Sequence, residues 1–195
     1  MSCSAQLKPY SSIDGQFFND EMIQIGITNP VFIGFYYNPA MQRLIHLLKY
    51  DGKQRFGYYL GRLLATQLTK KELHQFDYII PVPIHKRKKR ERGYNQVDAI
   101  AEGISDCLQI PSITDIVVRT RYTKAQAKLT RLERMENVSE AFAINPKSPT
   151  QLENKHILLV DDLITTGATI LQLNKLLNKN GVSSVLNCAV ATALF

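Results

Sequence analysis

The chain has 195 residues, of which 45% are hydrophobic and 21% charged, which is enough to bury a full core and excludes wholesale disorder. A formal net charge of +7 and a pI near 9.3 suit a polyanionic or phosphorylated partner. No stretch approaches the ~18 apolar residues of a membrane span, and residues 1–20 lack the basic start and apolar run of a secretory signal, so a cytoplasmic location is expected.

Residues 1–34 carry weak periodicity and read as a small irregular cap ahead of a domain spanning 35–195. Val31 to Tyr37 follows the turn signal Thr28-Asn29-Pro30 and reads as a strand or strand pair. Pro39 opens a helix with Met41, Leu44, Ile45 and Leu48 on one face, ending near Asp51-Gly52. A second helix puts Leu60, Leu64 and Leu68 together. Tyr78 to Ile84 is a short apolar strand interrupted by Pro81 and Pro83, so the chain should leave the sheet near Pro81. Val97, Ile100, Ala101, Ile104 and Leu108 mark the next helix, and Ile116 to Val118 a brief strand. Tyr122 to Glu136 is highly charged. Ile157 to Val160 reads as a buried strand, Ile170 to Lys179 as a helix, and Val182 to Leu194 contains the last strand. This alternation predicts an α/β fold with a mostly parallel sheet covered by helices on both faces. Ligands of such folds bind outside the carboxyl ends of the strands. That rule singles out the loops after Ile80, around 119–135 and after Val160.

Cys3, Cys107 and Cys188 are far apart and form no C-x-x-C pair; Cys107 and Cys188 sit among apolar residues and read as small core hydrophobes. His46, His74, His85 and His156 are scattered singly, and nothing supplies four zinc ligands at the usual spacing.

The run Ile157 to Thr169, ILLVDDLITTGAT, carries the chemistry. An apolar strand delivers Asp161 and Asp162 at its carboxyl end. Thr165, Thr166, Gly167, Ala168 and Thr169 then turn into a helix N-terminus, where free N–H groups and the helix dipole suit a phosphate dianion. Threonine hydroxyls add donors, and Gly167 lets backbone approach the phosphate. The paired carboxylates can accept hydrogen bonds from ribose hydroxyls beside that phosphate. Helix capping alone accounts for one or two of these residues, not for the combination.

This run resembles the 5-phosphoribosyl-1-pyrophosphate (PRPP) signature of type I phosphoribosyltransferases. More narrowly, the chain resembles the competence protein ComF family. The resemblance lies in Leu47-Leu48-Lys49-Tyr50 with Gly52, Pro81-Val82-Pro83, and Arg92-Gly93-Tyr94-Asn95-Gln96. It continues through Arg119, Arg121, Thr123, Gln126, Arg134 to Asn137, Ala141-Phe142 and the PRPP run. It implies a type I phosphoribosyltransferase-like core of about five parallel strands under a small N-terminal hood. PRPP would bind with magnesium, the metal held by PRPP with Asp161 and Asp162 as available ligands. These two are also the catalytic candidates, binding the ribose hydroxyls, with Thr165 to Thr169 on the 5-phosphate. The loop after Ile80 would meet pyrophosphate and 120–134 would form a lid; Lys86, Arg87, Arg121 and Lys124 are the candidates there, with Lys128, Arg131 and Arg134 adding charge to the lid. Proteins of this family often begin with a four-cysteine zinc finger. Here only Cys3 stands in that region, so no zinc is expected.

His85 to Arg92 packs six positive charges into eight positions. Three readings stay open: pyrophosphate neutralisation, a nucleic-acid backbone, or a solvated loop. For single-stranded DNA the candidates are Lys88, Lys89, Arg90 and Arg92, with Tyr94, Tyr58 and Tyr59 as stacking faces. Two functions follow from the resemblance. One is a PRPP-responsive module of natural transformation that handles incoming single-stranded DNA, with the DNA-uptake machinery at the cytoplasmic face as a partner. The other is an active phosphoribosyltransferase of nucleotide or base salvage. A nucleotide-sensing regulator on the same fold is a third option.

Overall fold

A computed structural model describes residue 7, residues 22–23, 26–68, 76–122 and 141–193. Strand β1 (Val31–Tyr36) leads into helix α1 (Pro39–Tyr50), whose first turn is capped by Asn38, the side-chain Oδ1 accepting from the Met41 N–H at 2.9 Å. Helix α2 (Gln54–Gln67) follows. Strand β2 (Tyr78–Pro81) then ends at the proline that the sequence marks as its limit. Next come the short helix α3 (Lys86–Arg92), helix α4 (Gln96–Leu108) and strands β3 (Val117–Arg119) and β4 (Phe142–Ile144). Strand β5 (His156–Ile164), helix α5 (Ala168–Lys179) and strand β6 (Ser184–Thr192) complete the described fold.

The main sheet is parallel, in the order β1-β6-β5-β2. Among the described residues it has four strands, against about five expected. Beyond β2 the chain makes a single bridge, Ile79 to Ser112, and β3 pairs antiparallel with β4 as a separate ribbon. The main sheet takes in Val31 to Tyr36, so strand pairing runs across position 34, where the sequence places the end of the cap.

Helices cover both faces, and each face has its own apolar core. On one side Ile157 and Leu159 pack with Ile170, Leu173 and Leu177 of α5 and with Phe142 of β4. On the other, Leu158 and Val160 pack with α1, α2 and α4 through Leu48, Leu64 and Ile100. The apolar run from Ile157 to Val160 in β5 is what a strand covered on both faces requires. Cys188 is buried in the second core, where loss of solvation pushes its thiol up to about 12; Cys107 is half-buried against the same core. Among the described residues no helix is long and apolar enough to cross a membrane.

Candidate functional site

The carboxyl ends of β5 and β2 face one region, as the alternation of elements predicts. Strand β5 does not stop at Val160: Asp161, Leu163 and Ile164 remain paired with Ala189, Ala191 and Thr192 of β6. The two carboxylates therefore sit inside the strand and not past its end. Both are buried.

The turn after β5 has the geometry of an anion cradle. Gly167 is the N-cap of α5, with φ 74°, and no side chain caps that helix. Such a left-handed backbone favours glycine. The first helical bond runs from Leu171 N–H to the Gly167 carbonyl, at 2.9 Å. The N–H groups ahead of it, at Ala168, Thr169 and Ile170, lack helical partners, as in any first turn. They open on a cavity of about 30 Å³ that Asp161, Thr165, Thr166 and Gly167 also line. The predicted cradle and one predicted carboxylate thus share one space.

Asp162 has other company. Its Oδ2 lies 2.8 Å from Lys49 Nζ at the end of α1 and accepts from Gln96 Nε2, the first residue of α4, at 3.0 Å. Its own N–H donates to Asp161 Oδ1 at 2.8 Å. Burial, then the neighbouring charge of Asp162, pushes Asp161 up to about 8, with Lys49 opposing the rise. Among the described residues no three acidic, histidine or cysteine side chains gather as a metal cage. The donor set suits a hard divalent cation that brings most of its oxygen ligands with it, with Asp161 adding a carboxylate.

The basic run divides its charges. It is helix α3 and not a loop, capped by His85, whose Nδ1 accepts from Arg87 N–H at 3.1 Å, and ended by Gly93 at φ 86°. Arg87 turns outward to Glu91 at 2.9 Å and to the Tyr122 ring at 4.8 Å. Lys89 reaches Asp98 at 3.4 Å, and Arg90 is exposed. Lys88 points inward and is half-buried. Burial first, then the charges of Arg119, Arg92 and Lys49, lower its pKa. Arg119, also lowered by burial, feels the opposing charge of Asp161. Arg119 thus feels the charge of Asp161, and Lys88 feels that of Arg119. Arg92 hydrogen-bonds Gln96 and lies 5.4 Å over the exposed ring of Tyr50. Tyr94 is half-buried with its hydroxyl donating to the Leu48 carbonyl. Tyr50 and Tyr59 are both exposed. Arg121 is exposed at the end of the β3 segment. Lys124, Lys128, Arg131 and Arg134 of the expected lid lie outside the described residues, as do Cys3 and His74.

A second cavity, about 440 Å³, lies between the loop after β2, α3 and β3. Lys86, Lys89, Asp98 and Arg119 line it, with Pro83 and Val117 as apolar walls. Asn95 ties its floor together, donating to the Val82 carbonyl at 3.1 Å and to Asp98 at 2.7 Å.

Residues 97–193 match the phosphoribosyl transferase domain. The chain is 33% identical over 187 residues to competence protein F of Haemophilus influenzae, covering 94% of this chain and 80% of that protein. It is 31% identical to the DNA utilization protein YhgH of Escherichia coli, over 76% of this chain and 66% of that one. It is 30% identical to competence protein ComFC of Streptococcus pneumoniae, over 77% and 63%.

Proposed function

The chain belongs to the competence protein F family, and from that premise we propose that it binds PRPP with magnesium and serves DNA uptake during natural transformation. Its fold is the type I phosphoribosyltransferase fold, a parallel sheet flanked by helices. The observation that carries the proposal is the uncapped α5 N-terminus at Gly167 opening on the same cavity as Asp161. The 5-phosphate sits on the N–H groups of that turn, and Asp161 accepts from a ribose hydroxyl. The diphosphate extends toward Lys88 and Arg119. Bound magnesium supplies charge neutralisation on the diphosphate, and the protein's part is to hold the ribose and keep two cations beside the departing charge. The exposed cations of α3 and the rings of Tyr50 and Tyr59 favour single-stranded DNA as the second ligand. The relatives' names, competence protein F and DNA utilization protein, support the same process.

The 440 Å³ cavity favours a second reading, transfer of the phosphoribosyl group to an acceptor, because Arg119 lines it and is close enough to feel the Asp161 charge. Isothermal titration of the purified chain with PRPP, with and without magnesium, tests the first reading, and release of pyrophosphate on adding candidate bases tests the second. Saturable magnesium-dependent PRPP binding without pyrophosphate release supports the binding module. No heat of binding at millimolar PRPP would overturn both.

A further inference from the structure

Successive side chains of a strand point to opposite faces, and the adjacent carboxylates of β5 follow this rule. Ile157 and Leu159 pack on the α5 side, and Asp161 continues that series into the cavity at the phosphate turn. Leu158 and Val160 pack on the α1, α2 and α4 side, and Asp162 continues that series toward Lys49 and Gln96. The two side chains leave the strand on opposite faces, with their carboxyl groups still within interaction range of each other.

Asp162 is engaged from two elements. The Lys49 ammonium is 2.8 Å from its Oδ2 and the Gln96 amide donates to the same oxygen at 3.0 Å. Lys49 ends the last turn of α1, and its side chain is 22% exposed against 5% for Asp162, so the pair is largely shielded from water. A hydrogen bond to a buried charge is costly to remove, because the carboxylate left behind has no water to replace the partner. The Asp162 peptide N–H in turn donates to Asp161 Oδ1 at 2.8 Å. A chain of contacts therefore runs from α1 through Asp162 to the orientation of Asp161.

We propose that Lys49 is a positioning residue of the ribose-phosphate site: with Gln96 it fixes Asp162 on the helical face and leaves Asp161 as the carboxylate presented to the ribose hydroxyls. This rests on the ribose-phosphate reading given above. Lys49 touches no ligand in this arrangement and acts through the carboxylate. The phosphate turn at Thr165 to Thr169 is a separate element, and its N–H groups do not depend on α1. Loss of Lys49 therefore weakens recognition of the sugar hydroxyls and leaves phosphate recognition in place.

The test compares two probes, ribose 5-phosphate and inorganic phosphate, titrated calorimetrically into the full chain and its variants. The wild-type chain should prefer ribose 5-phosphate. Lys49→Met should lower that preference on the order of tenfold while inorganic phosphate binds as before. Lys49→Arg should restore most of it, and Asp161→Asn should abolish it. A general loss of structure moves both probes together and is not rescued by arginine. Should Lys49→Met not fold, Gln96→Met removes the other tie on the same oxygen and carries the same expectation. An unchanged preference in a folded Lys49→Met or Gln96→Met variant overturns the role of Lys49 and leaves the ribose-phosphate reading standing. A wild-type chain that does not prefer ribose 5-phosphate over phosphate overturns that reading and the role of Lys49 with it.

Discussion

Replacing Gly61 with alanine should destabilise the protein although alanine is the better helix former. Helices α2 and α4 cross with their backbones touching, and reciprocal glycines make this possible. A Cβ on Gly61 would lie 2.0 Å from the Ile100 carbonyl oxygen and 2.9 Å from its carbon. A Cβ on Gly103 would lie 2.1 Å from the Tyr58 carbonyl oxygen. Ordinary non-bonded contact is about 3.5 Å, so the helices must separate by more than an ångström. The obstacle is backbone and cannot rotate away. Leu60, Leu64, Ile100 and Ile104 are then pulled apart within the same core. Overpacking of this kind costs about 1–3 kcal/mol, against a propensity gain of about 1 kcal/mol for glycine to alanine inside a helix. Because the clash is with backbone the cost lies at the upper end of that range, about 3 kcal/mol less about 1, so a net loss of about 2 kcal/mol follows, a decrease of roughly 1 M in the urea midpoint for a slope of about 2 kcal/mol/M. Since α4 begins with Gln96, separation also draws the amide away from Asp162, and ribose 5-phosphate affinity should fall with stability. Urea unfolding followed by circular dichroism reads the first effect. A Gly61→Ala protein as stable as the wild type would refute the close crossing of the two helices.

At the phosphate turn, Gly167→Val should impair ribose 5-phosphate binding far more than Thr165→Ser, because a branched residue is an outlier at φ 74° whereas serine keeps the hydroxyl; equal effects in calorimetry count against a backbone cradle. The pH dependence of stability follows from Asp161, which in the folded state is pushed up to about 8 and so keeps a proton that the unfolded chain has released. Unfolding free energy of the ligand-free protein should therefore decline as pH rises from the ordinary carboxylate range to about 8, and Asp161→Asn should flatten the decline. For single-stranded DNA, replacing Lys89 and Arg90 with serine should weaken binding and reduce its salt dependence by about 0.7 in the logarithmic slope for each phosphate no longer neutralised, as read by fluorescence anisotropy at several salt concentrations. PRPP binding should survive that change, and a double variant that loses PRPP while keeping its DNA salt slope would reverse the assignment of α3.

Signals that act locally were legible in the sequence, and those that depend on pairing across the fold were not. Pro81 ends β2 because a proline cannot donate to the ladder, and Pro39 opens α1 at a position where its missing N–H costs the helix nothing. The end of β5 is different. Aspartate is poor in strands, so the apolar run stops at Val160, yet pairing with Ala191 and Thr192 carries the strand to Ile164. The basic run hid its helix in the same way: six cations suggest a solvated loop, while His85 and Gly93 cap one short helix at its two ends. Lys49, Gln96 and Arg119 were visible as family residues, but nothing local tied them to the carboxylates, because α1, α4 and β3 meet β5 only once the sheet has formed. The consequence reaches into function. A run that reads as one binding motif is divided by the period of its own strand, Asp161 going to the phosphate turn and Asp162 to Lys49 and Gln96. On the proposed reading the sugar site is built by two parts of the chain: the motif supplies the cradle and one carboxylate, and the helices before it decide which way the other carboxylate is held.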